Sequence, residues 1–188
     1  MQYTIIRTKR RTLAIYIRKD ATIEVRAPFH AKEKDIERFV RSKENWIRAA
    51  VDKQRASLRQ RAANTPHCGK TKSRGCEKIF RLAAKVIIRE KVNYYAGIMN
   101  VKPRTVHITS ARTRWGSCGP ENNICFSWRL VFVDDHLIDY VVVHELSHIL
   151  RHDHSPKFWA VVEKYMPDYL SRRKELRDTS KKLVACNW

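Results

Sequence analysis

The 188-residue sequence has no run of apolar residues long enough to span a membrane. No signal peptide is expected before Tyr3, because the opening segment is too short and already includes a charged residue, Arg7. The five cysteines are odd in number and lack the spacing of metal-binding pairs. A chain of this length can bury a core that needs no disulfide. We therefore expect a globular protein of the reducing cytoplasm, with no membrane contact.

Acidic residues are scarce, since 19 Asp and Glu stand against 39 Lys and Arg and the formal net charge is +20. A field of this sign attracts polyanions. Four basic clusters are candidate contacts to nucleic-acid phosphates, at residues 9–11, 59–61, 70–74 and 172–174. Each could equally be a solvated basic surface, and the chain has no helix-turn-helix, zinc-finger or RNA-recognition signature. Any nucleic-acid contact is therefore expected to be nonspecific and sensitive to salt.

Residues 144–148 read His-Glu-Leu-Ser-His. On a helix, His144 and His148 lie about 40° apart in projection and about 6 Å apart along the axis, so both imidazoles can bind one metal ion. Glu145 lies about 100° around the helix, where its carboxylate can accept a proton from a water molecule. The pattern predicts a catalytic zinc site with one coordination position left open. The alternative is two histidines that only form hydrogen bonds in a core, which would be costly on the apolar helix 137–143.

The third zinc ligand cannot lie further along the same straight helix. Position 152 would be about 12 Å from position 144 along the axis, which is too far for two ligands of one ion. The helix must therefore end near Leu150 and the chain must turn back. Ser155 is a plausible N-cap and Pro156 a plausible first residue of the next helix. Position alone leaves three candidate ligands open: His154, His152 and Glu163.

Five segments carry a recurring combination of motifs. Residues 113–118 read Thr-Arg-Trp-Gly-Ser-Cys, residues 124–130 end in Trp-Arg-Leu, 138–148 contain the histidine motif, 154–159 read His-Ser-Pro-Lys-Phe-Trp and 166–169 read Met-Pro-Asp-Tyr. Together they resemble the YgjP-like metallopeptidase family, which is related to the SprT-like and WLM zinc proteases. The resemblance is dense over residues 104–172 and looser before them. It implies a zincin-like minidomain with zinc held by His144, His148 and His154, and Glu145 as the general base.

Hydrophobic patterns along the chain predict an α+β protein. Residues 3–8, 12–18 and 21–26 alternate or carry β-branched residues, so we expect an amino-terminal antiparallel β-sheet. Apolar residues at helical spacing predict a long amphipathic helix over 32–60 and a second helix over 77–96. Residues 62–76 contain proline and glycine among basic residues, as linkers do. We therefore divide the chain into an amino-terminal region 1–62, a linker 63–76 and a zincin-like catalytic domain 77–188.

Two further strands are predicted at 105–109 and 124–131, joined by a long loop. The second strand alternates, so we expect one side of it to face the core: Ile124, Phe126, Trp128 and Leu130. It is either an internal strand or an edge strand that binds an extended peptide, and the resemblance to zincins favours the edge. The segment Trp115-Gly116-Ser117 is interpreted as a turn and packing element, in which Gly116 relieves a steric constraint.

Together these patterns predict a zinc-dependent hydrolase, foremost a metallopeptidase acting on a peptide or protein. Zinc would polarise the scissile carbonyl while Glu145 deprotonates the attacking water and then protonates the leaving amine. Four residues are candidates for stabilising the transition state: Arg114, His152, Tyr165 and Tyr169. One alternative is a metal-dependent nucleoside triphosphate pyrophosphatase, an activity also linked to YgjP-like proteins, although the chain lacks a Gly-x-x-x-x-Gly-Lys loop. Another is a nucleic-acid-associated protease of the SprT-like type, or a nucleic-acid-binding module whose zinc is structural.

Overall fold

A computed structural model describes residues 2–64 and 74–185. The chain divides into two compact units, Met1–Asn64 and Thr65–Trp188. Within the described ranges it is a mixed α/β protein with two small sheets and six α-helices. No helix in those ranges is long and apolar enough to cross a membrane. The domain boundaries at 62 and 76 stay predictions, because most of the linker lies outside the described residues.

The amino-terminal unit has three strands followed by two helices: β1 (Thr4–Thr8), β2 (Ala14–Ile17), β3 (Ile23–Pro28), α1 (Glu33–Ser42) and α2 (Glu44–Asn64). The prediction of an antiparallel sheet is wrong in part. The strand order is β1-β3-β2, with β2 antiparallel to β3 but β1 parallel to it. Strand β3 carries the fully buried Val25 and Ala27, and it takes the central position in the sheet. Strands β1 and β2 are therefore not neighbours and do not form the expected antiparallel pair.

The predicted long helix is two helices, interrupted at Lys43. The interruption is short, and the Ile47 N–H donates to the Lys43 carbonyl at 2.9 Å, so helical hydrogen bonding resumes at once. Ile36 and Val40 before it, and Ile47 and Val51 after it, bury against the sheet in one core. Since the apolar period runs on across Lys43, the sequence pattern gave no sign of the interruption.

The carboxy-terminal unit begins with a long helix, continues with a second sheet and ends with three helices. Its elements are α3 (Arg74–Met99), β4 (Thr105–Thr109), β5 (Gly116–Cys118), β6 (Asn123–Ser127), a short 3₁₀ helix (Trp128–Phe132), α4 (Asp135–Leu150), α5 (Pro156–Tyr165) and α6 (Tyr169–Ala185). Helix α4 is apolar nearly all round and packs against α3, α5 and α6. It is therefore the central helix of this unit.

The second sheet has the order β4-β6-β5, with β6 parallel to β4 and antiparallel to β5. The interpretation of residues 124–130 as an edge strand is therefore wrong, because β6 is the central strand. The strand also ends earlier than predicted, at Ser127, whose side chain accepts a hydrogen bond from the Arg129 N–H as the 3₁₀ helix begins. The predicted core residues are all buried: Ile124, Phe126, Trp128 and Leu130.

Candidate metal centre

Three histidines of the carboxy-terminal unit converge on one point. His144 and His148 lie one turn apart on α4, which ends at Leu150 as predicted, and His154 lies in the turn before α5. Their ring nitrogens lie within 4.8 Å of one another. Among the residues that the structure describes, His152 and Glu163 are not part of this group. The structure thus brings together the three histidines that the family resemblance implies.

The spacing of one pair of ring nitrogens, those of His144 and His154, fits a single zinc ion. His144 Nε2 and His154 Nε2 are 3.2 Å apart. Two nitrogens bound tetrahedrally to zinc at about 2.0–2.1 Å lie about 3.3 Å apart. The rings of His144 and His148 are nearly perpendicular, as are those of His148 and His154, with centroids 5.0 and 4.7 Å apart. The rings of His144 and His154 are closer to parallel, with an interplanar angle of 29° and centroids 5.2 Å apart, so the three imidazoles form one compact group.

The hydrogen bond of His148 fixes which of its nitrogens can bind a metal. His148 Nδ1 lies 3.1 Å from the Arg151 carbonyl oxygen. Because a carbonyl oxygen only accepts hydrogen bonds, Nδ1 carries the proton and Nε2 keeps its lone pair. Metal-binding histidines commonly use their second nitrogen in this way. The end of α4 therefore both reverses the chain and orients a ligand.

Helix α5 stabilises the turn that carries His154. Its first residue is Pro156, and Ser155 lies before it at the N-cap position, as predicted. The Ser155 hydroxyl donates to Asp153 at 2.9 Å and forms no capping hydrogen bond to the helix. One turn in, Phe158 is fully buried and its ring lies 5.0, 4.4 and 4.9 Å from the rings of His144, His148 and His154. This packing holds the turn against α4.

Burial keeps the histidines of α4 neutral. It lowers the pKa of His144 to about 3, an effect to which the charges of His148, His154 and Arg173 add. Burial also lowers the pKa of His148, although its hydrogen bond to the Arg151 carbonyl acts in the opposite direction. Neutral imidazole is the form that binds a metal. Both histidines are therefore ready to bind at neutral pH.

Glu145 directly follows His144 on α4 and is only 5% exposed. Burial raises the pKa of its carboxyl to about 8, while Arg114 acts to lower it. Its Oε2 is buried and has no hydrogen-bond partner in the described structure. A buried carboxylate oxygen without a partner is unusual in folded proteins. The site therefore needs a further group next to Glu145, such as a cation or a water molecule.

Gly116, the first residue of β5, lies directly against the Glu145 side chain. A Cβ at position 116 would come within 2.6 Å of both Cγ and Oε1 of Glu145. The predicted steric constraint at Gly116 is thus confirmed, although the predicted turn is wrong because Gly116 and Ser117 belong to a strand. The indole N–H of the neighbouring Trp115 donates to the Ser180 hydroxyl at 2.8 Å, which ties this segment to α6.

Sequence reasoning missed two residues near the cluster, Tyr140 and Arg173. The Tyr140 ring lies 5.9 Å from that of His144, and burial raises the pKa of its hydroxyl to about 12. Arg173 of α6 lies with its guanidinium 4.5 Å from the centre of the Trp159 ring, which is itself 5.7 Å from His144. The four-residue spacing from His144 could have pointed to Tyr140. Arg173 belongs to the basic cluster 172–174, but no local pattern links it to the histidines, because it lies on a different helix.

The four candidates for stabilising the transition state lie in different places. Arg114 is close enough to lower the pKa of Glu145. His152 is exposed and acts on His148 only through its charge. Tyr169 stacks on Trp159 with ring centroids 5.4 Å apart, and Tyr165 contacts Lys164 through its ring. Of these, Arg114 is the candidate with an electrostatic effect on Glu145.

Comparison with known proteins identifies a family match. Residues 11–72 and 69–179 match a family model described as YgjP-like, metallopeptidase domain. No curated protein and no solved structure matches the chain. The matched ranges extend through most of both units and include the three histidines and Glu145.

Proposed function

Because the chain belongs to the YgjP-like metallopeptidase family, we propose that it is a zinc-dependent peptidase whose metal is held by His144, His148 and His154. The family match supports a metal-dependent hydrolase in general. One observation supports the finer proposal: three imidazoles converge, with the His144 and His154 nitrogens at the spacing of zinc ligands, and the next residue after His144 is a buried glutamate with an unpartnered oxygen. The surrounding unit, with α4 at its centre, would be a zincin-like domain.

Zinc at this position would supply Lewis-acid chemistry, by polarising the scissile carbonyl and making a water molecule acidic. The positive charge of a bound zinc ion would favour the ionised form of the Glu145 carboxyl over the neutral form that burial favours. Glu145 would then accept the proton of the attacking water and deliver it to the leaving amine. Two features support this role for Glu145. Its Oε2 has no competing donor from the protein, and the Gly116 backbone holds the side chain in one place by close contact. Burial of Glu145 also keeps bulk water from the proton transfer.

The substrate would bind as an extended strand along β5 instead of β6. Strand β5 pairs with β6 on one side, and no other described strand pairs with its second side. An extended peptide that adds to this edge would form backbone hydrogen bonds and would pass next to Glu145, which contacts the first residue of the strand. Because such binding depends on the peptide backbone, the enzyme would tolerate varied substrate sequences.

Two arginines place positive charge near the reacting groups. The charge of Arg114 acts on Glu145, and the charge of Arg173 acts on His144. Negative charge develops on the carbonyl oxygen during attack by water, and nearby cations stabilise it. Arg114 and Arg173 are therefore the residues that we assign to transition-state stabilisation.

The proposal is tested by digesting an unbiased peptide library with the zinc-loaded full chain. We expect cleavage by the wild-type protein, and loss of cleavage with retained zinc in Glu145→Gln. The matched control is Glu163→Gln, an exposed glutamate of α5 outside the histidine group, which should cleave like the wild type. Parallel reactions with nucleoside triphosphates separate the alternative. Pyrophosphate release without peptide cleavage would mean that the protein is a pyrophosphatase and not a peptidase.

A further inference from the structure

A groove on the carboxy-terminal unit runs between α3 and β4, which is an edge strand of the second sheet. Its volume is about 620 Å³. We name it the α3–β4 groove and define it by its basic wall and its apolar floor. The wall consists of Lys78, Arg81, Lys85 and Arg89, and the floor consists of Leu82, Val106 and Ile108. None of these residues belongs to the metal centre or to the basic clusters singled out from the sequence.

The basic wall is a continuous stripe along one face of α3. Its four cations recur every three or four residues, so they share one helix face over about 16 Å. Lys78 and Arg89 are exposed, and Glu77 is the one carboxylate among the residues that line the groove. Glu77 pairs with Arg81 at 3.5 Å, and four cations against one carboxylate still leave the lining of the groove with an excess of positive charge. The groove is therefore complementary to an extended polyanion.

Arg81 has a fixed position within the wall. Its guanidinium donates to the Ile108 carbonyl at 2.9 Å and to the Ser110 hydroxyl at 2.6 Å. These hydrogen bonds order the Arg81 guanidinium before any ligand arrives, which lowers the entropy cost of binding.

The apolar floor distinguishes between kinds of polyanion. Leu82, Val106 and Ile108 are half-buried and lie beside the cations. A nucleic-acid strand offers apolar sugars and bases next to its phosphates, which suits such a surface. An acidic peptide would instead bind by adding a strand to the β4 edge. There the Ile108 carbonyl already accepts a hydrogen bond from Arg81, so it is not available to the peptide. The observations thus favour nucleic acid over an acidic peptide.

We propose that the α3–β4 groove binds a single strand of nucleic acid. The phosphates lie along Lys78, Arg81, Lys85 and Arg89, and sugars and bases contact the apolar floor. Contact is sequence-tolerant, because the groove offers charge and apolar surface instead of a set of base-reading side chains. This binding is independent of zinc and of hydrolysis, so the test does not depend on the proposed peptidase activity.

The test is fluorescence anisotropy of a labelled oligothymidylate with the full chain. In Lys78→Glu/Arg89→Glu we expect affinity at low salt to fall at least about tenfold. The slope of log affinity against log salt should decrease by about 1.4, since each lost phosphate contact contributes about 0.7 for a single strand. The control Lys164→Glu/Arg177→Glu changes the net charge equally at exposed positions of α5 and α6 and should bind like the wild type.

Three results would overturn the proposal. The first is wild-type affinity in the groove variant, and the second is an equal loss in the control, which would mean diffuse attraction to a basic surface. The third is competition by polyglutamate as strong as that by oligothymidylate, which would make an acidic peptide the occupant. Circular dichroism checks that the groove variant folds. If it does not, Lys78→Gln/Arg89→Gln takes its place with the same expected direction.

Discussion

Glu145 and Gly116 are linked more closely than their separation in sequence suggests. The carboxylate of Glu145 lies on α4, and the backbone of Gly116 on β5 passes so near that no side chain fits between them. The contact holds a buried carboxylate in place although its Oε2 has no hydrogen-bond partner in the described structure. The site thus combines a positioned carboxyl group with a group of three imidazoles.

Gly116→Ala tests this contact. The new Cβ would lie 2.6 Å from Glu145 Oε1, which is closer than real Cβ contacts, so the glutamate must move. Since the histidines are untouched, we expect zinc content to stay unchanged while hydrolysis falls at least about tenfold, as expected when a catalytic group is displaced. The measurements are zinc content and the rate of peptide hydrolysis.

The control for Gly116→Ala is Gly119→Ala in the segment just after β5. There the added Cβ would meet only the Asn123 carbonyl oxygen at 3.6 Å, an ordinary contact. We expect both activity and zinc content to stay at the wild-type level. Full activity in Gly116→Ala would mean that the position of Glu145 does not matter for catalysis.

Between elements, the pairing of α3 with α4 includes a partly buried ion network. Lys91 of α3 donates to Asp139 at 2.6 Å and to Asp135 at 2.7 Å, both on α4. Burial alone would lower the pKa of Lys91, but the two carboxylates outweigh it and the net shift is upward. A raised pKa means that the charged form of Lys91 stabilises the folded state. The network thus helps to fix the helix that carries His144 and His148.

Asp139→Asn should lower the free energy of unfolding by about 2–3 kcal/mol, because it leaves the partly buried Lys91 with a weaker partner. The stabilisation by Lys91 is complete below its unfolded pKa of about 10.4 and is lost as pH rises through the higher folded value. The difference between variant and wild type should therefore be full at pH 7 and shrink above about pH 10.4. Urea unfolding at several pH values measures it.

Glu44→Gln is the control for this network. Glu44 pairs with Arg48 on the surface of α2, where both side chains are exposed. Exposed pairs of this kind contribute at most about 1 kcal/mol. A loss in Asp139→Asn as small as that in Glu44→Gln would contradict the role given to the Lys91 network.

The end of α4 and the start of α5 could be predicted, because the sequence signals for both are local. The limit on the span of zinc ligands placed the end of α4 near Leu150, and Ser155 with Pro156 marked the start of α5. The order of strands could not be predicted in this way. Which strand lies at the centre depends on contacts between distant segments, and each strand pattern reports only which of its own faces is buried.

At the scale of the whole molecule, the charge of +20 was evident from composition, but its arrangement was not. The clusters that stand out in sequence are runs of adjacent residues, whereas the wall of the α3–β4 groove is spaced along a helix. Likewise, Arg173 approaches the histidine group from α6, where its guanidinium lies over the ring of Trp159. Surfaces built from several elements depend on the tertiary fold, so composition could predict only their sign.

We expect His144, His148 and His154 to hold one zinc ion, and the zinc content of the purified chain measures this without any assay of activity. Elemental analysis should find about one zinc ion per wild-type chain and about one in His152→Ala, because His152 lies outside the histidine group. His154→Ala should lose most of the metal, since two imidazoles of α4 remain. Wild-type zinc content in His154→Ala, or loss of zinc in His152→Ala, would mean that these three histidines are not the zinc ligands.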